Sequence, residues 1–314
     1  VQRIGTIIIP LEDLLGLLYR RRVDADTREK AMSKVWFITG AGSGIGAGAA
    51  RAALKAGDRV VATGRNVQKV RNALSDVASE NLEILPLDVT DEAQATTAVD
   101  QAVKRFGRLD VLLNSAGYSL LGNFEELATK EIERQLATNL WGVIYVMRAA
   151  LPFLRKQRSG HVINVSSVAG VVGFMHCGAY GASKFAVEGL SLAVAEEVER
   201  FGVKVTIVEP GFFRTDLLAP ANAKWPSRRI DDYASAEKPA QEIWSPYAGT
   251  QQGDPDKLGE VLVKLTGMQA PPRVFVAGGD AIAAIAPAVE ARLKAVHALE
   301  DLSKSTNFTG WRTS

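Results

Sequence analysis

The stretch VWFITGAGSGIGAGAARAALK, residues 35–55, decides how the rest of the chain is read. It opens on a short β-branched and aromatic run, turns through glycines at 40, 44 and 46, and continues into a segment carrying Ala49, Ala50, Ala52 and Ala53. Glycines between a strand and a helix allow a tight bend and let the helix-end N–H groups approach a pyrophosphate. Many α/β proteins carry a glycine-rich turn, so position is what sharpens the signal. Here the turn follows the first strand, precedes an alanine-rich helix, and is succeeded by a second β-branched run at 59–63. Gly40, Ser43, Gly44, Ile45 and Gly46 are therefore the candidate phosphate cradle.

Outward from this turn, short β-branched runs alternate with longer helix-period segments, the pattern of βαβ units feeding a parallel sheet. Strands are predicted at 35–39, 59–63, 82–87, 109–114, 160–166, 203–209 and 273–277, and helices at 44–56, 66–77, 91–106, 129–155, 178–201 and 254–267. Right-handed crossovers would set the helices on both faces of one doubly wound, seven-stranded Rossmann-type sheet in a single domain over residues 32–304. Residues 212–253 break the alternation. They are too many for an ordinary connection, and Pro220, Pro226, Pro239 and Pro246 forbid long helices there, so a substrate lid is predicted.

Composition sets the outer limits. The 314 residues are 47% hydrophobic and 23% charged with a formal net charge of +2, which argues against a disordered chain and gives a nucleic-acid partner little support. Cys177 is the single cysteine, so an intrachain disulfide is excluded, and a reducing, cytoplasmic setting is expected. The apolar stretch at 4–18 is interrupted by Pro10, Glu12 and Asp13, which makes it a poor membrane span and a poor secretory signal. Residues 1–31 are expected to be an extension ahead of a start at Met32, or else a peripheral membrane or partner-binding segment, and residues 305–314 a tail.

Two further sets of residues carry chemistry. After the second strand the chain reads Gly64-Arg65, where a site for an unphosphorylated ribose would place a carboxylate. Gly64 offers no acceptor, whereas the Arg65 guanidinium fork suits a 2′-phosphate, so NADP(H) is favoured, with NAD(H) as the second option. Ser166 and Ser167 end the fifth strand, and YGASK follows at 180–184, with Tyr180 and Lys184 four apart on one helix face. Bringing a phenol from about pKa 10 to neutrality needs roughly 4 kcal/mol, which one ammonium about 4 Å away at an effective dielectric near 20 would supply. Ser167 could donate a hydrogen bond to developing alkoxide charge.

Together these residues resemble the short-chain dehydrogenase/reductase family in its common form. The resemblance runs over about residues 34–277: TGAGSGIG matches the family's glycine turn, LDVT at 87–90 its adenine-side acid, NSAG at 114–117 its NNAG, and PGFFRT at 210–215 its PG motif. It implies a tetrad of Asn139, Ser167, Tyr180 and Lys184. Tyr180 would be the acid/base, Ser167 the group orienting the substrate oxygen, Lys184 the ribose ligand, and Asn139 the anchor of a proton-relay water. It further implies cofactor contacts from Asp88, Val89, Asn114, Ala116, Gly117, Pro210, Gly211, Phe213 and Thr215, and a homodimer or homotetramer. Ser115 and Ser43 depart from the pattern, the latter where many NADP-preferring members carry a basic residue.

Phe174, Met175, His176, Phe212, Leu217, Leu218 and Trp225 flank the tetrad in loops and are the candidate substrate pocket, which would suit a largely apolar small molecule. No ligand set for a metal is visible, and adjacent His176 and Cys177 lack the partners of a nucleophile site. The expected function is hydride transfer between nicotinamide and a carbonyl or secondary alcohol. Acyl-thioester or steroid-like ketones remain open as substrates, and a catalytically silent NADP(H)-binding regulator is the alternative from another class.

Overall fold

Residues 33–219, 222–236 and 238–308 are described in a computed structural model. The expectation for residues 1–31 falls outside them, as does the tail from 309 onward.

Seven strands, β1 (Val35–Ile38), β2 (Arg59–Gly64), β3 (Leu82–Pro86), β4 (Val111–Asn114), β6 (Gly160–Val165), β7 (Val203–Pro210) and β9 (Val274–Ala277), form one sheet in the order β3-β2-β1-β4-β6-β7-β9. Every neighbouring pair is parallel. Successive residues of a strand point to opposite faces, so Trp36 and Ile38 join one core and Phe37 the other. The first core takes in Ala49, Ala50 and Ala53 of α1 (Gly44–Lys55) and Leu258 and Leu262 of α9 (Pro255–Thr266). The second is closed by Val99 of α3 (Glu92–Phe106), Val146 of α5 (Gly142–Gln157) and Val187 of α6 (Gly178–Val198). Each fully buried side chain of this size contributes about 1.5–3 kcal/mol, and a sheet covered on both faces explains why the strands read as near-continuous apolar runs.

The chain departs from β1 toward β3 on one side and resumes with β4 on the other. That reversal opens a crevice at the carboxyl ends of β1 and β4, where ligands of doubly wound sheets bind.

Three expectations are corrected in detail. The helix predicted over 129–155 is α4 (Thr129–Leu136), a π turn over Ala137–Trp141, and then α5. Asn139 sits inside that turn, and its side chain bonds out of the helix to Tyr118, which draws the backbone off the regular ladder. The segment 212–253 is not irregular throughout: β8 (Ala223–Lys224) pairs with β5 (Ser119–Leu120), and α7 (Asp231–Ala236) and α8 (Ala240–Trp244) follow. Its prolines keep those helices to about one turn each. Beyond β9 lies α10 (Gly279–Ala298), which the helix period did not announce because Pro287 falls in its middle and only Ala281 and Ile285 are buried. A last short helix, α11 (Glu300–Lys304), ends the described chain.

Candidate active site

Gly40 and Gly44 both have positive φ, +69° and +55°, which a side chain would strain. Their Cβ positions are also taken: one at Gly40 would meet the Ala116 Cα at 2.8 Å, and one at Gly44 the Thr215 Cγ2 at 2.9 Å. The glycine turn thus brings the 114–117 loop and the PG loop within touching distance of β1. Thr39 fixes the first of these, its Oγ1 accepting from the Ser115 and Ala116 amides at 3.0 and 3.1 Å. Asp280, near the start of α10, fixes the second by accepting from the Phe212 amide at 2.6 Å.

Between these loops runs a cavity of about 360 Å³. Gly40, Ser43, Gly44, Ile45, Arg65, Asp88, Val89, Ala116, Gly117, Pro210, Gly211, Phe213 and Thr215 line it toward the glycine turn. Ser167, Tyr180 and Lys184 line it at the ends of β6 and α6, with Phe174, Phe212, Leu217 and Leu218 around them. Six expected residues stand behind or away from the wall. Gly46 packs beneath the turn against the Gly40 carbonyl, and Asn114 is buried, donating to Asn164 Oδ1 at 2.8 Å. Asn139 is buried in the π turn, its amide bonded to Tyr118 and, at 3.2 Å, to Ser183 Oγ. Met175 is 63% exposed and does not reach the cavity. His176 is buried in a positive-φ turn whose carbonyl accepts from Gly122 at 2.8 Å. Trp225 packs against the cluster holding Tyr180 and Leu218 while facing a second, smaller cavity.

The wall also holds Leu121 and Gln251, which sequence reasoning missed. Cys177, read from the sequence as pocket-lining rather than as a nucleophile, lines it, as does the lid residue Trp244, on which Phe212 stacks at 6.1 Å between centroids. Leu121 arrives through the β5–β8 pairing and Gln251 through the bridge between Phe213 and Gly253, contacts with no local signature.

The electrostatics differ from the spacing argument. Burial pushes the Tyr180 phenol up to about 12, with Ser167 opposing through a hydrogen bond and Cys177 adding to the rise. Lys184 Nζ is 5.8 Å from the Tyr180 ring centroid and donates to the Val165 carbonyl at 2.8 Å. Burial lowers Lys184 to about 8, while Glu188 pulls it back up. A charge is costly to create in a dry wall, so burial moves both groups toward their neutral forms. Cys177 is likewise raised to about 12 by burial, so its thiol stays neutral. No group of three or more His, Cys, Asp or Glu among the described residues is placed to hold a metal ion.

Residues 34–225 match the short chain dehydrogenase family. The chain belongs to the short-chain dehydrogenase/reductase family. Similar members include Oxidoreductase BOA17 of Botryotinia fuckeliana, 38% identical over 251 residues that cover 80% of this chain and 91% of that one. Among solved structures of the family, a short-chain dehydrogenase from Streptomyces avermitilis is 34% identical, with a TM-score of 0.80 over 88% of this chain and 100% of that one. ElxO with NADP bound is 30% identical, with a TM-score of 0.66 over 80% of this chain and 100% of its own. As a short-chain dehydrogenase/reductase the chain is an oxidoreductase of the CH–OH/C=O class that works with a nicotinamide cofactor. No helix among the described residues is long and apolar enough to cross a membrane.

Proposed function

We propose that this oxidoreductase interconverts a carbonyl and a secondary alcohol on a largely apolar small molecule, using NADP(H) in preference to NAD(H). The observation that carries the reading is a single cavity with the glycine turn and Arg65 at one end and Ser167, Tyr180 and Lys184 at the other. The residues fit the cofactor: the turn has room for phosphate oxygens where side chains are excluded, and Arg65 stands exposed at the rim as a fork for a 2′-phosphate. Asp88, whose carboxylate is oriented by the Thr90 amide and hydroxyl at 3.0 and 2.8 Å, would face the adenine side together with Val89. The NADP carried by the similar ElxO supports the same choice.

NADPH, when bound, supplies the hydride. Tyr180 keeps its proton at neutral pH, since losing it from a pKa of about 12 would cost about 7 kcal/mol. Its hydroxyl is therefore an acid poised to protonate the substrate oxygen as the carbonyl is reduced. Ser167 would donate to the same oxygen, and Lys184, held against Val165, would bind the ribose. Asn139 has its side chain committed to Tyr118 and Ser183, so the relay water assigned to it would be held by its main chain. Phe174, Phe212, Leu217, Leu218 and Trp244 would enclose the substrate's apolar part. Residues 212–253 act as its lid in this reading, and the enzyme is a cytoplasmic homo-oligomer.

A panel of ketones and secondary alcohols, followed by NADPH absorbance, tests the proposal. Turnover of apolar ketones with NADPH favoured over NADH is the expected result, and absence of turnover across the panel in both directions would refute it.

A further inference from the structure

Lys69 and Asp216 line the cavity from two separate segments, and the proposed chemistry uses neither. Lys69 belongs to α2 (Val67–Ala73), the short helix that follows Arg65, and the Asn66 side chain caps that helix by accepting from the Lys69 amide at 2.9 Å. Its stem lies along the glycine turn: a Cβ on Gly42 would meet the Lys69 Cγ at 3.4 Å and its Cδ at 3.6 Å. Its ammonium donates to Asp216 Oδ2 at 2.9 Å. Asp216 in turn follows Thr215, whose Cγ2 fills the space over Gly44, and its main-chain carbonyl accepts from the Ala219 amide at 3.0 Å and from Asn222 Nδ2 at 3.1 Å. The lysine thus reaches from Gly42 to the start of the 212–253 segment, and the ion pair bridges two sides of the cavity beside the phosphate cradle.

Ser43 brings no charge to this rim, so among the described residues Arg65 and Lys69 are the cations that the wall carries toward the glycine turn. Both side chains of the ion pair are nearly half exposed, at 46% and 47%. A pair so open to water is weak and screened by salt, so a stronger anion can take the carboxylate's place. A phosphate monoester, with about two negative charges and three strong acceptor oxygens, is such an anion.

We propose that Lys69 is a second determinant of NADP(H) recognition, held by Asp216 until the 2′-phosphate displaces it, so that binding of the phosphate frees Asp216 at the start of the 212–253 segment. The assignment rests on reading Arg65 as the fork for that phosphate. NADH has only a hydroxyl at the same position and leaves the ion pair closed. Asp216 therefore competes with NADPH through Lys69, and neutralising it strengthens NADPH alone.

Dissociation constants for NADPH and NADH are measured by fluorescence titration at about 0.15 M salt, where exposed charges more than about 8 Å apart are largely screened. The proteins are the wild type, Arg65→Ala, Lys69→Met, Asp216→Asn and the double variant of the last two. Met keeps an unbranched stem over Gly42 and Asn keeps the shape of the aspartate. Lys69→Met should weaken NADPH about five- to twentyfold, the range of a charge-assisted contact at a half-exposed site, and NADH by less than about twofold. Asp216→Asn should tighten NADPH about two- to fivefold, the strength of an exposed ion pair, and leave NADH unchanged. In the Lys69→Met background the same substitution should bring little further change, because the competition needs the lysine. Equal losses of both cofactors in Lys69→Met overturn the proposal. So does a gain from Asp216→Asn that is the same with and without Lys69, which would make Asp216 a bare repelling charge. If Arg65→Ala separates the two cofactors and Lys69→Met does not, this proposal falls alone; if the wild type binds both cofactors alike, it falls together with the NADP(H) reading.

Discussion

Tyr180 shows how far one residue's chemistry depends on what surrounds it. The four-residue spacing to Lys184 was legible in the sequence because α-helical geometry alone puts the two on one face. The direction in which the phenol's acidity moves was not, since burial acts on it through residues far along the chain. Tyr180→Phe keeps the ring and removes the proton. Turnover is expected to fall at least about a hundredfold, with the NADPH dissociation constant changed only a few fold, in parallel stopped-flow and fluorescence measurements. Retained turnover would remove Tyr180 from the chemistry. Arg65 stands at the other end of the cavity, exposed. Arg65→Ala should cost NADPH roughly 1.5–3 kcal/mol, or about ten- to a hundredfold in affinity, and leave NADH nearly untouched. Equal losses in titrations of both cofactors would mean that Arg65 does not discriminate between them.

Among the elements, the two that the sequence rendered least well are the ones that shape the site. The π turn over Ala137–Trp141 read as uninterrupted helix because the 3.6-residue period continues through it. Its departure comes from Asn139 bonding both the amide and the carbonyl of Tyr118, at 3.2 and 3.1 Å, a partner 21 positions away. Helix α10 was absent from the expectation altogether, yet its Asp280 carries the PG loop. Asp280→Ala would leave the Phe212 amide without its acceptor, a loss of about 1–3 kcal/mol, and free the loop beside the nicotinamide end of the cavity. Thermal unfolding should therefore shift down by several degrees and KM for NADPH should rise several fold, with kcat changed less. Asp280→Asn, which retains an acceptor oxygen, should restore most of both. A variant with unaltered melting and unaltered KM would show that α10 merely covers the sheet edge.

For the molecule as a whole, the question is what residues 212–253 do for the cavity. Their aromatics tie the segment down: Phe212 stacks with Trp244 at 6.1 Å and with Tyr247 at 6.0 Å, and Tyr233 donates to Glu125 at 2.6 Å. A segment anchored in this way at several points can cover a substrate and exclude water from the hydride path. Replacing residues 222–248 by a short Gly/Ser linker should leave NADPH affinity within a few fold, because the glycine turn and Arg65 lie outside the excision. Activity should drop sharply, or the order of preference across the ketone panel should change. An identical substrate profile in a folded, NADPH-binding variant would move the specificity determinants to Phe174, Leu217 and Leu218.

The sequence by itself determined the glycine turn, the serine at the end of a strand, the tyrosine and lysine one turn apart, and the alternation that makes a doubly wound sheet. Each of these is fixed within a strand, a turn or a helical repeat, where local geometry leaves few alternatives. Tertiary structure alone decided what those pieces face. It set Leu121 into the cavity by pairing Ser119–Leu120 with Ala223–Lys224, tied Asp280 to Phe212, left Met175 in solvent, and reversed the shift expected of Tyr180. Those outcomes depend on contacts between distant segments and on the removal of water from around a charge, and neither quantity is carried by the spacing of residues along the chain.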